Sequence, residues 1–240
     1  MESEKNINSD RQDSEPVIPQ SFVKSPFATH WRSLLLLFIG VYIPLLAFAV
    51  IAIKVWQHQD IFPWDAPIMQ AIHATAKVQL DVFAATLTKF GSIRIVFPVV
   101  GAIALVLAWL KKWRSLTYLI TTTVGSAIIN YSAKILFHRL RPQLWDSSAR
   151  PLDYAFPSGH AMTSMTLVAA LAILAWGSSW FWLILTVGSL FVLAIAWTRL
   201  YLGVHFPSDI LAGWMLSIAW TIGVSSILQL FYRKQDEIGS

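Results

Sequence analysis

No cysteine occurs anywhere in the 240 residues, which removes disulfide staples, zinc–thiolate sites and thiol nucleophiles from consideration. Charge is scarce as well. Asp, Glu, Lys and Arg make up 13% of the chain, 56% is hydrophobic, and the mean hydropathy is +0.58. A soluble domain carries about twice that charged fraction, so the shortage excludes an ordinary water-facing surface and makes the bilayer the expected solvent. Acids are scarcer than bases, 13 against 18, for a net charge of +5. No basic tract is interleaved with aromatics on a polar face, so nucleic acid is not an expected partner. Anionic lipid or an anionic substrate suits the sign of the charge. No internal repeat marks two similar halves, as a transporter built by duplication would show.

What is present is apolar and aromatic, with 12 Trp and 14 Phe. Residues 1–30 are polar and read as a disordered tail, and 31–234 as one membrane domain. The first apolar block begins too late and runs too long for a signal peptide. Counting blocks near spanning length gives six transmembrane helices: Leu34–Ile53, Ile95–Leu110, Ser115–Ala133, two within Ala161–Thr198 broken near Gly177-Ser178-Ser179, and Ile210–Tyr232. Trp56–Ser92 is too polar to cross and reads as one or two interfacial helices between the first two spans. Trp31, Trp56, Trp64, Trp113, Trp145 and Trp180 read as interface anchors.

Lys24, Arg32, Lys111, Lys112, Arg114, Arg233 and Lys234 flank the span ends of one face, which the positive-inside rule makes cytoplasmic. Arg139, Arg141 and Arg150 fall on the opposite face, against that rule. Arg94, Arg139 and Arg150 taken singly read as residues that snorkel to headgroups.

Nearly all polar groups of the second half lie in Lys134–Pro142, Phe156–His160 and Thr198–Asp209, which six spans bring to one membrane boundary. Lys134, Arg141 and Arg199 there have no matching carboxylates nearby in sequence, so an anion is expected to arrive from outside. Arginine forks and a lysine point charge suit phosphate. If the third span stays helical to its end, Lys134 and Arg141 stand about two turns apart on one side. Ser158 caps the fourth helix and Gly159 permits close backbone approach, so helix N–H groups face the same anion. His160 is the candidate general acid. His205 and Asp209, four residues apart at the start of the sixth helix, form a candidate nucleophile and its orienting carboxylate. Two imidazoles and a carboxylate ringed by cations make a poor dication site, so no metal and no cofactor is expected.

Lys134-x6-Arg141-Pro142, Pro157-Ser158-Gly159-His160 and Arg199-x5-His205-x3-Asp209 resemble the three-part signature of the type 2 phosphatidic acid phosphatase family. That family includes bacterial phosphatidylglycerophosphate and undecaprenyl diphosphate phosphatases and shares its core with vanadium haloperoxidases. The resemblance implies an all-α integral membrane protein with that core, His205 as nucleophile, His160 as acid, and Lys134, Arg141, Ser158, Gly159 and Arg199 as phosphate ligands. The third motif usually opens with Ser; here it is Thr198, which keeps the hydroxyl.

The expected activity is hydrolysis of a lipid phosphate or diphosphate through a phosphohistidine, without metal, on the outer face of a bacterial cytoplasmic (inner) membrane. The expected partners are that substrate and membrane lipids. A non-hydrolytic lipid-phosphate carrier stays open as the alternative, as does transfer to an acceptor other than water. Neither the particular lipid nor the oligomeric state is legible.

Overall fold

The structure, a computed structural model, describes residues 34–58, 62–145 and 153–238; the expected tail at 1–30 and Arg150 lie outside them. All regular secondary structure among the described residues is helical. A first helix, Leu34–Gln57, contains a π-helical stretch at Phe38–Tyr42, and its regular part is α1 (Ile43–His58). Then come α2 (Asp65–His73), α3 (Val78–Leu87) with a 3₁₀ turn at Thr88–Gly91, and α4 (Ile93–Trp109). The second half holds α5 (Trp113–Phe137), α6 (Gly159–Leu174), α7 (Trp180–Tyr201) and α8 (Pro207–Ile238).

Among the described residues, three helices are long and apolar enough to cross a membrane: Leu34–Gln57, Trp180–Tyr201 and Pro207–Gln229. A fourth is added if Val78–Gly91 and Ile93–Trp109, which meet at 41°, form one bent span. Helix α6 is apolar but has only 16 residues, about 24 Å at 1.5 Å per residue. Helix α5 has the length, at 25 residues, but Asn130, Lys134 and its Ser and Thr residues dilute its hydropathy.

The packing is inside-out by soluble standards. Leu36, Leu105, Trp109, Trp182 and Leu190 are exposed on the outer surface, whereas Thr122, Ser126, Thr166, Ser217 and Thr221 are buried between helices. Apolar solvent around the bundle gives no reason to hide leucine, and buried hydroxyls satisfy themselves across or along helices. Ser126 and Thr166 pair at 2.8 Å between α5 and α6. Ala161 and Ala196 let α6 and α7 approach, and with Ile210 of α8 they form one buried cluster. The α6–α7 turn is made at Gly177, whose φ of +77° suits a residue without Cβ.

The segment between the first helix and α4 forms two short helices, α2 and α3, that are tied to the bundle. Asp65 and Met69 of α2 are fully buried, and Asp65 bonds the backbone N–H of Ser208 at 2.9 Å. On α3, Asp81 accepts from the Tyr201 hydroxyl at 2.6 Å. Both helices are thereby fastened to the ends of α7 and α8. Trp145 also differs from a lipid anchor, because it stacks on His73 at 3.9 Å between ring centroids.

Candidate active site

The site begins where α5 ends. His138 takes a left-handed conformation, φ 48°, and terminates the helix after Phe137. Lys134 therefore lies on the last helical turn while Arg141 is carried back by extended chain, so the expected two-turn helical spacing does not hold. The two cations converge all the same, on Asp153. Lys134 Nζ is 2.8 Å from its Oδ2, and Arg141 NH2 is 2.6 Å from its Oδ1. Burial would raise the Asp153 carboxyl, but the hydrogen bond and charge of Lys134, with the charge of Arg141, outweigh it and hold it below the ordinary carboxylate range. A carboxylate thus stands where these cations would grip a phosphate oxygen.

Arg139 corrects the sequence reading most sharply. Instead of reaching for headgroups it is 1% exposed. It donates to Ser208 Oγ at 2.8 Å and to Asp209 Oδ1 at 2.6 Å, and forms an ion pair with Asp65 Oδ2 at 3.3 Å. Its guanidinium lies 4.5 Å from the Phe206 ring centroid. The buried arginine thus stands between two buried carboxylates, and each sign compensates the other where water is excluded.

That network ends at His205. Asp209 Oδ2 accepts from the backbone N–H of Phe206 at 2.9 Å and stands 3.5 Å from His205 Nδ1. This is long for a hydrogen bond, as catalytic contacts often are before substrate binds. Arg141 NH1 lies 3.0 Å from His205 Nε2. A guanidinium can only donate, so Nε2 is the acceptor and the ring proton is assigned to Nδ1, facing Asp209. Burial, then the charges of Arg141, Arg199 and Lys134, push the His205 pKa well below the usual imidazole value, so the ring is neutral at pH 7 with its Nε2 lone pair on the cationic side.

Lys134, Arg141, Gly159, His160, Arg199 and His205 share one cavity of about 750 Å³. Arg199, from the last turn of α7, is nearly buried; its NH1 donates to Thr88 Oγ1 at 2.8 Å, and its Nε has no partner. Ser158 and Asp209 are fully buried and do not line the cavity. The Ser158 hydroxyl accepts from Ala161 N at 3.5 Å as the α6 cap, and its own N–H donates to the Asp209 carbonyl at 3.1 Å. Both thus support the site from behind, Ser158 by fixing the α6 terminus and Asp209 by facing His205.

Sequence reasoning missed Asp65, Asn130, Asp153 and Thr88. Asn130 lines the cavity and donates to the Pro157 carbonyl at 3.2 Å, and its position in an apolar run was a usable signal. Lys89 and Arg94 also line the cavity. So do the exposed Ile93 of α4 and Tyr131 of α5, which carry the lining out to the surface of the bundle.

The sequence model of the PAP2 superfamily matches residues 115–233. An undecaprenyl-diphosphatase of Sulfolobus acidocaldarius is 26% identical over 182 residues, 73% of this chain and 84% of that protein. The putative undecaprenyl-diphosphatase YbjG of Escherichia coli is 37% identical over 82 residues, 34% of this chain and 39% of its own length. Among solved structures, the PAP2-type phosphatidylglycerolphosphate phosphatase of Bacillus subtilis superposes with a TM-score of 0.68 at 21% identity, covering 77% of this chain and 93% of that one. Aquifex aeolicus LpxE gives 0.57 at 25% identity, covering 69% and 96%.

Proposed function

The chain belongs to the PAP2 superfamily, and on that premise we propose that it is a membrane lipid phosphatase that removes the terminal phosphate of a lipid phosphate or diphosphate through a phosphohistidine at His205. The observation that carries this reading is the convergence of Lys134, Arg141, Arg199, His160 and His205 on one cavity that is also lined by the exposed Ile93 and Tyr131. An anionic head enters the cationic end and the tail stays in lipid. The activities named for the relatives support the same class.

In the proposed reaction, substrate phosphate displaces the Asp153 carboxylate from Lys134 and Arg141. His205 Nε2 attacks phosphorus, the bond to the leaving oxygen breaks, and His160 supplies the proton that oxygen takes up. Asp209 holds the Nδ1 proton and balances the charge on the phosphorylated ring. Water, giving its proton back to His160, then cleaves the P–N bond and inorganic phosphate leaves. Three fixed cations supply the charge stabilisation on which phosphoryl transfer chiefly depends, so the activity is expected to persist in chelator.

We place the six spans of the sequence reading on the first helix, α4, α5, α6, α7 and α8, with α2 and α3 at the interface. The cavity then lies on the outer face of a bacterial cytoplasmic membrane. The turnover test uses the purified chain in detergent with EDTA and a panel of lipid phosphates and diphosphates. Phosphate release by the wild type, loss of about 10³-fold or more in His205→Ala, and acid-labile, base-stable labelling of the wild type are expected. Release unchanged in His205→Ala would sink the phosphohistidine, and binding without release would favour a carrier.

A further inference from the structure

We infer that the rim of the cavity is a second anion subsite, formed by Lys89, Arg94 and the N-terminus of α4, which holds the inner phosphate of a lipid diphosphate. It rests on the hydrolytic reading above and narrows the substrate class from any lipid phosphate to lipid diphosphates.

The cavity walls carry five cationic side chains, Lys89, Arg94, Lys134, Arg141 and Arg199, and one carboxylate, Asp153. A phosphate monoester brings about two negative charges and is already matched by Lys134 and Arg141 with Arg199 beside them. Lys89 and Arg94 are left over. Each is exposed and stands at the cavity edge, and cations of one sign gathered around a cleft call for a ligand with a further charge.

The rim is also held in place. Arg199 NH1 donates to Thr88 Oγ1 at 2.8 Å, tying the 3₁₀ turn to the phosphate-facing end of α7. Three residues on, Gly91 packs so closely on α7 that a Cβ there would meet Ile195 Cγ2 at 2.6 Å. The turn between these contacts carries Lys89, and the next residues start α4. Ser92, Ile93, Arg94 and Ile95 all line the cavity. The Ser92 side chain gives α4 no cap, donating instead to the Lys89 carbonyl at 2.5 Å. Ile95 N–H is taken by the Ser92 carbonyl at 3.1 Å, which leaves the Ile93 and Arg94 amides of the first turn for an anion on the same wall as the two cations. On the wall shared with the terminal-phosphate cations, Arg199 is buried with its Nε unpartnered, a polar atom available to a ligand that spans both ends of the cavity. Its NH1 reaches Thr88 at the rim and it shares the cavity with Lys134 and Arg141, and a guanidinium so placed can bridge two linked phosphates.

With a diphosphate bound this way, the outer phosphate is attacked by His205 and the P–O bond to the bridging oxygen breaks. The lipid monophosphate leaves with its charge held on the rim. The outer phosphoryl group passes to His205 and then to water.

Two measurements on the full chain in detergent test this. In the first, kcat/KM is compared for a prenyl diphosphate and the prenyl monophosphate of the same chain length, in wild type and in Lys89→Gln/Arg94→Gln. The diphosphate value is expected to fall about tenfold or more, the loss typical of removing charge-assisted contacts, while the monophosphate value stays within about twofold. A parallel fall for both, or no fall for either, would overturn the subsite. In the second, inorganic diphosphate and inorganic phosphate are titrated calorimetrically into His205→Ala with and without the double substitution. Tighter diphosphate binding that vanishes in the double variant is expected; equal binding of the two anions to the parent would also overturn it. Because the titration needs no turnover, a chain that binds diphosphate through the rim yet hydrolyses nothing would remove the phosphatase reading and keep the subsite. Hydrolysis without any diphosphate advantage would do the reverse.

Discussion

At the scale of single residues, the chemistry is decided by what each cation faces. Asp153 sits between Lys134 and Arg141, yet the cradle does not depend on its carboxylate. Arg141 also donates to the Asp153 carbonyl at 2.9 Å and the Val204 carbonyl at 2.6 Å, and Lys134 to the Tyr154 carbonyl. The Asp153 side chain is 53% exposed, and half-exposed ion pairs contribute little to stability. Asp153→Asn is therefore expected to leave folding unchanged and to remove a competing anion, tightening inhibition by inorganic phosphate about threefold to tenfold. Because Lys134 and Arg141 keep this carboxyl ionised below the ordinary carboxylate range, the difference between wild type and variant should persist from pH 8 down to about pH 5. Phosphate inhibition that weakens in the variant would show instead that the carboxylate organises the cradle.

At the scale of elements, the first turn of α8 is where distant segments meet. Asp65 on α2 takes both the N–H and the hydroxyl of Ser208, at 2.9 and 2.6 Å, and shares Arg139 with Asp209. Removing only the arginine, as in Arg139→Gln, strands two buried carboxylates and is expected to cost about 3–5 kcal/mol. The loss would be read as a lowered midpoint of thermal unfolding in detergent. Neutralising Asp65 as well, in Arg139→Gln/Asp65→Asn, should recover part of it, because the worst term is an uncompensated buried charge. Equal midpoints for the single variant and wild type would remove Arg139 from the support of His205. None of this was legible in Trp56–Ser92, where an acidic residue opening an amphipathic helix reads as a solvent-facing first-turn charge. Its partners lie 74 and 143 residues away.

At the scale of the whole molecule, the proposed six spans set which turns share a side of the membrane. The α6–α7 turn at Ser178 should face the cytoplasm and the α5–α6 connection at Gln143 the outside. The absence of cysteine makes single-cysteine labelling clean. Gln143→Cys is expected to react with an impermeant maleimide in intact cells, and Ser178→Cys only after permeabilisation. Labelling of both from outside would overturn the six-span arrangement while leaving the helical fold intact.

Much of this protein was written along the chain. A shortage of charge and a surplus of apolar residues dictated helices in lipid, since only structures that satisfy their own backbone survive there. The spacing of Lys134, Arg141, His160, Arg199, His205 and Asp209 pointed to the proposed chemistry, and the structure brings the first five to one cavity with Asp209 behind it. Such motifs are legible because each is local: a cap, a helix start, a four-residue step. What the tertiary structure alone decided is which charges stay buried. Arg139 and Arg141 are two residues apart on the same exposed-looking loop, yet one is sealed between Asp65 and Asp209 and the other faces the cavity. Asp153 entered the cradle, and Lys89 and Arg94 its rim, from segments that carry no motif. The physical reason is that the cost of a buried charge depends on partners supplied by chain folding from afar, and sequence spacing records only neighbours along one element.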